Sequence, residues 1–369
     1  MEPIKRTLFK REQQTRTAYR IPALIYLSED KTYLAFAEKR SSMHDEDALF
    51  LVMRKGKHQH GSIQWSPTQE LSSAVLPDHR TMCPCPVYER NSKTIFLFFI
   101  CVKGRISEQT QIKNRKNEAR LCYVTSKDNG AHWSEVKDLT DSVIGEDEIT
   151  SWATFGIGPG HGIQMESGKL VIPAYVYYIH QRSRCLPCYF VQSHAFCFYS
   201  DDRGEEWKHG EFIQAESCEC EMTEIVSRNG RSHLYCNARN TGEHRVEAVS
   251  HSTDFNESNI APKLVEQHKV GCQGSVIGFP VPESYSLDTK TWLLFSHPAK
   301  KSSRGDLQVY LNRTPLKTKG WEKLLMIHHG PCGYSDLAHC ENENFAALIE
   351  CGTDSEYEIA FVDFHLNLP

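Results

Sequence analysis

An arginine set between an aromatic residue and an apolar pair closed by proline, Tyr19-Arg20-Ile21-Pro22, is the first place where side-chain type and position suggest chemistry. A second arginine, Arg40, ends the run AFAEKR, and a carboxylate, Asp45, follows in a polar loop. A guanidinium inside an apolar segment is costly to bury unless an anion meets it. Its planar fork suits a carboxylate held at two points. That anion can be an internal glutamate or the acid group of a ligand. Taken alone, Arg20 is better explained by the internal pair. Other reactive types are scattered: Glu219 in SCECEMTE, Tyr334 in GPCGYSDL, and the CxxC pair Cys185 and Cys188. Spacing by itself gives none of them a catalytic role. A tyrosine after glycine is ordinarily a strand-end residue, Glu219 is one of several glutamates in an acidic turn, and a single CxxC without a second pair is not a zinc site. No metal and no cofactor is expected.

The elements that must carry these residues are short apolar runs separated by Gly, Asn, Asp or Pro. ALIYL, TYLAFA, TIFLFFICV, ARLCYVTS, LVIPAYVYYI, HAFCFYS, TWLLFSH, LQVYLN and EIAFVDF are rich in β-branched and aromatic residues and read as strands. One polar, helix-prone stretch, 107–119 (SEQTQIKNRKNEA), predicts a short surface helix. No Pro- or Ser-rich linker divides the chain, so residues 1–369 are expected to form a single all-β domain.

Composition narrows the class. The 369 residues are 40% hydrophobic and 24% charged, enough for a sizeable core. A net charge of −5 argues against a nucleic-acid binder. The basic start MEPIKRTLFKREQQTR lacks the apolar stretch of a secretory signal, and the run Ile95 to Val102 is too short to span a bilayer. A protein kept on the cytosolic side is expected, with its 14 cysteines reduced and the sequons at Asn256 and Asn312 unused.

An internal repeat specifies the architecture further. Residues 126–133 (SKDNGAHW) and 200–207 (SDDRGEEW) share the pattern S-x-D-x-G-x-x-W, each after a strand-like run. The aspartate can accept backbone N–H groups across a turn, the glycine supplies a positive φ, and the tryptophan covers the turn. A third stretch, 252–258, lacks the glycine and the tryptophan. The two copies resemble the Asp boxes of sialidases and some other propeller proteins, a structural motif without chemistry of its own. The expected fold is a six-bladed β-propeller with Asp-box hairpin turns, about 60 residues per blade. A two-sheet sandwich is the alternative that the repeat spacing disfavours.

With the Asp boxes in place, YRIPAL, YLAFAEKRS, DEDAL, HRTMCPCPV, WATFGIGPGHGIQ, GKLVIPAYVYYI, LYCNAR, GCQGSV and GPCGYSDLA acquire a common context. Along nearly its whole length the chain resembles the animal sialidases (exo-α-neuraminidases), particularly the membrane-associated, ganglioside-preferring vertebrate form. The resemblance implies retaining hydrolysis of terminal α-linked sialic acid. It implies three arginines on the sugar carboxylate, here Arg20, Arg239 and Arg304, with Glu350 orienting the first. It implies Tyr334 as nucleophile, Glu219 as its base and Asp45 as acid/base. A phenol suits this substrate because a carboxylate attacking beside the sugar's own carboxylate would meet like charge, and sialidases are a known exception to the two-carboxylate scheme. Its ordinary pKa of about 10 requires a base to take the proton.

By the same resemblance, Tyr175 and Tyr177 line the glycerol and N-acyl region. Arg40, Glu38, Glu108 and Gln273 form polar walls, and Met82 touches the N-acyl group. One departure stands out: the family's HR[ST]MNPCP is HRTMCPCP here, with Cys83 in place of asparagine. A thiol is a weaker hydrogen-bonding group than an amide, so altered N-acyl recognition is expected. The implied substrates are gangliosides, sialyl-oligosaccharides and sialoglycoproteins. The implied location is peripheral, on plasma and endosomal membranes, with a cytoplasmic pool as the alternative. The segment 178–195 is expected to shape aglycone or membrane access. A non-catalytic, lectin-like sialic-acid binder would share the arginines but have no need of Asp45, Glu219 and Tyr334.

Overall fold

The structure is a computed structural model. It describes residues 4–367 apart from 13, 15, 60, 182–188, 268–269, 283–284, 286–287, 318 and 354–355. Among the described residues the strands form five antiparallel sheets, so the all-β expectation holds. Each sheet follows a meander along its main strands; the short strands Gln69–Glu70 and Ile163–Gln164 branch off the path. The longest strand, Trp321–His339, pairs with Gly305–Asn312 through its first part and with Asn344–Thr353 through its last. It thereby joins two sets of strands into one seven-stranded sheet. The hydrogen-bonded sheets therefore number five, where six separate blades were expected.

Apolar side chains explain how the sheets assemble. Five clusters of buried residues each bridge two sheets consecutive along the chain or, for the cluster around Tyr33 and Phe361, the last sheet and the first. A sixth, around Trp292 and Ile349, joins the two halves of the seven-stranded sheet. The contacts close on themselves, a propeller-like arrangement. The first strand, Ile4–Phe9, completes the sheet by pairing with the last, Glu356–His365. Ring closure thus uses backbone hydrogen bonds as well as the apolar faces.

Both Asp boxes form the turn between a sheet's third strand and its short outer strand. In the first, Asp128 Oδ1 accepts from Ser126 Oγ (2.8 Å) and His132 N (2.9 Å), while Ser126 Oγ accepts from Gly130 N (2.8 Å). The second repeats this with Asp202, Ser200, Glu206 N and Gly204 N. Gly204 takes φ +94°, and a Cβ there would strike the Phe96 ring. The Trp207 indole N–H donates to Gly204 O at 3.1 Å. The expected helix is also present, Glu108–Asn114, with Ser107 as its cap accepting from Thr110 N. Cys185 and Cys188 lie outside the described residues, as does the middle of 178–195.

Candidate active site

Three inner strands meet at the site, and each is irregular there. The register slips by one residue between Arg20 and Ala23, between Met82 and Cys85, and between Cys332 and Ser335. Such bulges bend a strand and re-aim its side chains. Ile21 and Cys83, in the first two, adopt φ +59° and +57°, each just before a proline. A left-handed conformation is strained for any L-residue and most of all for a β-branched one. The strain turns N–H groups out of the ladder toward buried acids. Ile21 N donates to Glu350 Oε1 (2.9 Å), Tyr334 N to Glu350 Oε2 (3.0 Å) and Cys83 N to Glu38 Oε1 (2.7 Å). Each acid then grips an arginine. Glu350 takes Arg20 Nε at 3.1 Å and Nη2 at 3.2 Å, and Glu38 Oε2 takes Arg40 Nε at 2.7 Å. The two-point contact expected for Arg20 is thus internal, and it fixes the guanidinium in place. Burial works against ionising Glu350, but Arg20 outweighs it and holds the carboxyl below its usual range.

Arg20, Arg239 and Arg304 converge on Tyr334. Arg20 and Arg304 lie over its ring, 5.2 and 5.5 Å from the centroid. Arg239 Nη1 donates to the phenol oxygen at 3.2 Å and to Glu219 Oε2 at 2.6 Å. The phenol itself donates to Glu219 Oε1. Burial and then Glu219 push the Tyr334 pKa well above 10, against the three arginines. The phenol is therefore held in its protonated form, and the carboxylate that receives its hydrogen bond is Glu219. Arg239 and Arg304 are held from behind by the backbone: Val270 O accepts from Arg239 Nε (2.9 Å) and Gly271 O from Arg304 Nη2 (3.0 Å). That loop is anchored by Glu266, which accepts from Cys272 N (3.0 Å), Arg245 (2.7 Å) and, at 3.1 Å, His297.

Asp45 sits across from this group, ion-paired with Arg40 Nη1 at 2.6 Å, its side chain still half exposed. Burial raises its pKa, but Arg40 and Arg20 outweigh burial, and the net direction is down. Arg80 ties Asp45 O (3.2 Å) to Gly104 O and Ile106 O (2.7 Å each), the segment leading into the helix that starts with Glu108. Glu108 Oε2 accepts from Tyr175 at 3.3 Å, and the Tyr177 ring lies edge-on to Tyr175 at 6.1 Å. Burial, then Glu219 and Asp45, push Glu108 up to about 7.

Comparison with known proteins places this geometry. A BNR repeat-like domain matches residues 31–347. Bovine (Bos taurus) Sialidase-3 is 47% identical, the match covering 96% of this chain and 91% of the bovine one. Sialidase-2 of Cricetulus griseus is 42% identical over 98% and 95%. The chain belongs to the sialidase family. As an animal sialidase it is a glycoside hydrolase, an exo-α-sialidase. The solved structure of the Hadza microbial sialidase Hz136 superposes with a TM-score of 0.77 at 21% identity, covering 98% of this chain and 68% of that one, and shares the fold.

Within this sialidase, several of the residues expected to face a ligand are engaged inside the protein. Glu38 and Arg40, expected on a polar wall, are fully buried and bonded to each other, Glu38 also taking Cys83 N and Arg40 also Asp45. Met82 lies in a bulge but is mostly packed into an apolar cluster. Gln273 was expected on a polar wall, yet it is 1% exposed and its amide is used internally. Its Oε1 accepts from Ser335 N (3.0 Å) and its Nε2 donates toward Ser335 O (2.9 Å), so it clamps the backbone beside Tyr334. Arg80, Arg245, Glu266 and His297 were missed. Of these, Arg245 in the strand HRVEAVS carries only a weaker form of the Arg20 signal, since Glu247 follows it on the same strand.

Proposed function

We propose that the sialidase works by retention, with Tyr334 as nucleophile, Glu219 as its base and Asp45 as acid/base. The sugar carboxylate would lie across Arg20, Arg239 and Arg304. The phenol oxygen attacks the anomeric carbon and passes its proton to Glu219, while Asp45 protonates the departing oxygen. Water, deprotonated by Asp45, then cleaves the tyrosyl adduct. Asp45 is held ionised in the free protein by Arg40 and Arg20. A sugar carboxylate arriving at Arg20 shares that positive field and raises the Asp45 pKa toward what a proton donor needs. The observation that carries the reading is the Tyr334 hydroxyl shared between Glu219 and Arg239, beneath two further arginines. A binder without turnover would have no use for the base or for Asp45.

The experiment follows an aryl sialoside by proton NMR. Wild type should release the α anomer first, and Tyr334→Phe should lose at least about 10³-fold in kcat while still binding a dehydrated sialic-acid analogue. A β anomer appearing first, or near-normal turnover by the variant, would remove Tyr334 from its role.

The same reading extends to substrate and architecture. Terminal sialic acid of glycoconjugates is the substrate class, supported by the identity to Sialidase-3, and gangliosides are the proposed preferred members, on the resemblance of the sequence to the ganglioside-preferring animal sialidases. Peripheral attachment to membranes accompanies that preference; among the described residues no helix is long and apolar enough to cross a bilayer. The seven-stranded sheet is read as two blades fused by the strand Trp321–His339, which gives six blades in one domain. Support comes from the sixth apolar cluster, which sits between its halves as the other five sit between sheets.

A further inference from the structure

Two residues beyond each member of the catalytic pair, on its own chain segment, stands another buried acid: Glu221 after Glu219 and Asp336 after Tyr334. These acids form a second cluster one step further along the same two segments, tied together by their own hydrogen bonds. His161 Nδ1 lies 2.7 Å from Asp336 Oδ1. Ser275 Oγ lies 3.0 Å from that same oxygen and 2.8 Å from Glu221 Oε2, and accepts from Leu337 N at 2.9 Å. Leu24 N donates to Asp336 Oδ2 (2.6 Å) and Val276 N to Glu221 Oε2 (2.9 Å).

One hydroxyl proton cannot serve both carboxyls. The network closes if Glu221 keeps its proton and donates to Ser275, Ser275 donates to Asp336, and His161 donates to Asp336. The electrostatics agree: burial and then Asp336 push Glu221 well up, while Asp336 outweighs burial to raise His161. There is no slack around Glu221, since a Cβ on Gly160 would collide with its Oε1. Gln273 links the clusters, reaching Glu221 Oε1 (3.2 Å) while clamping Ser335, the residue between Tyr334 and Asp336.

We propose that Asp336, Glu221, Ser275 and His161 are positioning residues for the sialidase reaction: a proton-sharing layer that holds two inner strands in register so that the Tyr334 hydroxyl stays on Glu219. Among the described residues none of the four hydrogen-bonds or ion-pairs with Arg20, Arg239 or Arg304, so the layer acts on attack and not on capture of the sugar carboxylate. The inference rests on Tyr334 and Glu219 being the reacting pair. The three donors His161, Glu221 and Asp336 also lie within 4.8 Å of one another, close enough for a cation, but a cation would have to displace the hydrogen bonds that already satisfy them.

Asp336→Asn is the sharp variant, because every group now facing Asp336 is a donor and the amide adds one more. Ser275→Ala is the milder one. Sites are counted by titration with a dehydrated sialic-acid analogue, so that kcat is expressed per folded site. Asp336→Asn should lower kcat about 30- to 100-fold and Ser275→Ala about 5- to 10-fold, with the analogue's Kd within about threefold of wild type. If Asp336→Asn fails to fold, Ser275→Ala decides alone. A kcat per site within twofold of wild type, or a Kd that weakens in step with kcat, would overturn the proposal. Wild-type activity lost in chelator and restored by a divalent cation would also overturn it, in favour of a metal centre. Tyr334→Phe run alongside separates the failures: an active Tyr334→Phe sinks the underlying reading, whereas an inactive one with an unaffected Asp336→Asn sinks only this inference.

Discussion

The Asp-box turns and the sialic-acid site are both polar clusters fixed by carboxylates, yet they are built on opposite principles. Asp128 and Asp202 bond to groups two to four residues away, in turns whose positive φ falls on a glycine and on the residue before it, Asn129 or Arg203, neither of them β-branched. Glu350, Glu219 and Glu38 bond to groups 330, 115 and 45 residues away, on backbone bent into positive φ at Ile21 and Cys83. The Ser–Asp hydrogen bonds of the turn close within its own eight residues, while its tryptophan packs on Phe36 in one box and Phe98 in the other. The site is finished only when the whole ring has closed. The difference separates an element that supplies stability from one that draws on it.

Variants at either place should sharpen this contrast. Arg304→Ala removes a guanidinium that bonds to the Gly271 carbonyl and, among the described residues, to no carboxylate, so the fold should survive. kcat/KM on a sialoside should fall about 10²- to 10³-fold, through both kcat and KM, because the carboxylate contact persists in the transition state. An effect on KM alone would mean that the contact is lost before the transition state.

Gly204→Ala should do the reverse. Overpacking against Phe96 at a left-handed position should cost about 1–3 kcal/mol, read as a lower melting temperature, with kcat per folded molecule unchanged. Reduced kcat per folded molecule would show that the Asp box reaches the site after all.

Glu108→Gln tests charge and not packing. Glu108 has its folded pKa raised from 4.5 to about 7, so the folded state holds a proton that the unfolded state releases. Wild-type stability should therefore decline as pH rises from 4.5 to 7, and KM should climb above pH 7 as the new carboxylate repels the sugar acid. Melting temperature and KM measured across that range should be flatter in the variant; identical slopes would assign the pH dependence elsewhere. Cys83→Asn should give the smallest change, about two- to fivefold in KM and in N-acetyl over N-glycolyl preference, since only one hydrogen-bonding group is exchanged. Asparagine also tolerates the positive φ of this bulge better than cysteine does. An unchanged preference would remove position 83 from N-acyl recognition.

The same contrast explains what could be read from the chain. The Asp boxes and the capped helix at Glu108 were legible because their partners lie within a few residues. Arg20 was legible as an anomaly, a charge in an apolar strand, but Arg239, Arg304 and the convergence of all three on Tyr334 came only through family resemblance. Gln273 was misplaced because nothing in GCQGSV distinguishes an amide facing a ligand from one clamping the adjacent strand. Arg80 and Glu266 lie among other polar residues, and their long-range partners leave no periodic trace. The blade count was obscured by one strand long enough to serve two neighbours.

Pairing Ile4–Phe9 with Glu356–His365 has a consequence for how the enzyme is made. During synthesis the opening strand emerges first and must wait, edge exposed, for the closing strand to leave the ribosome. Arg20 waits equally for Glu350, and Glu219 for Tyr334. With the roles proposed for Tyr334 and Glu219, a nascent chain lacking the final hairpin should show no hydrolysis, which should switch on only when that hairpin docks.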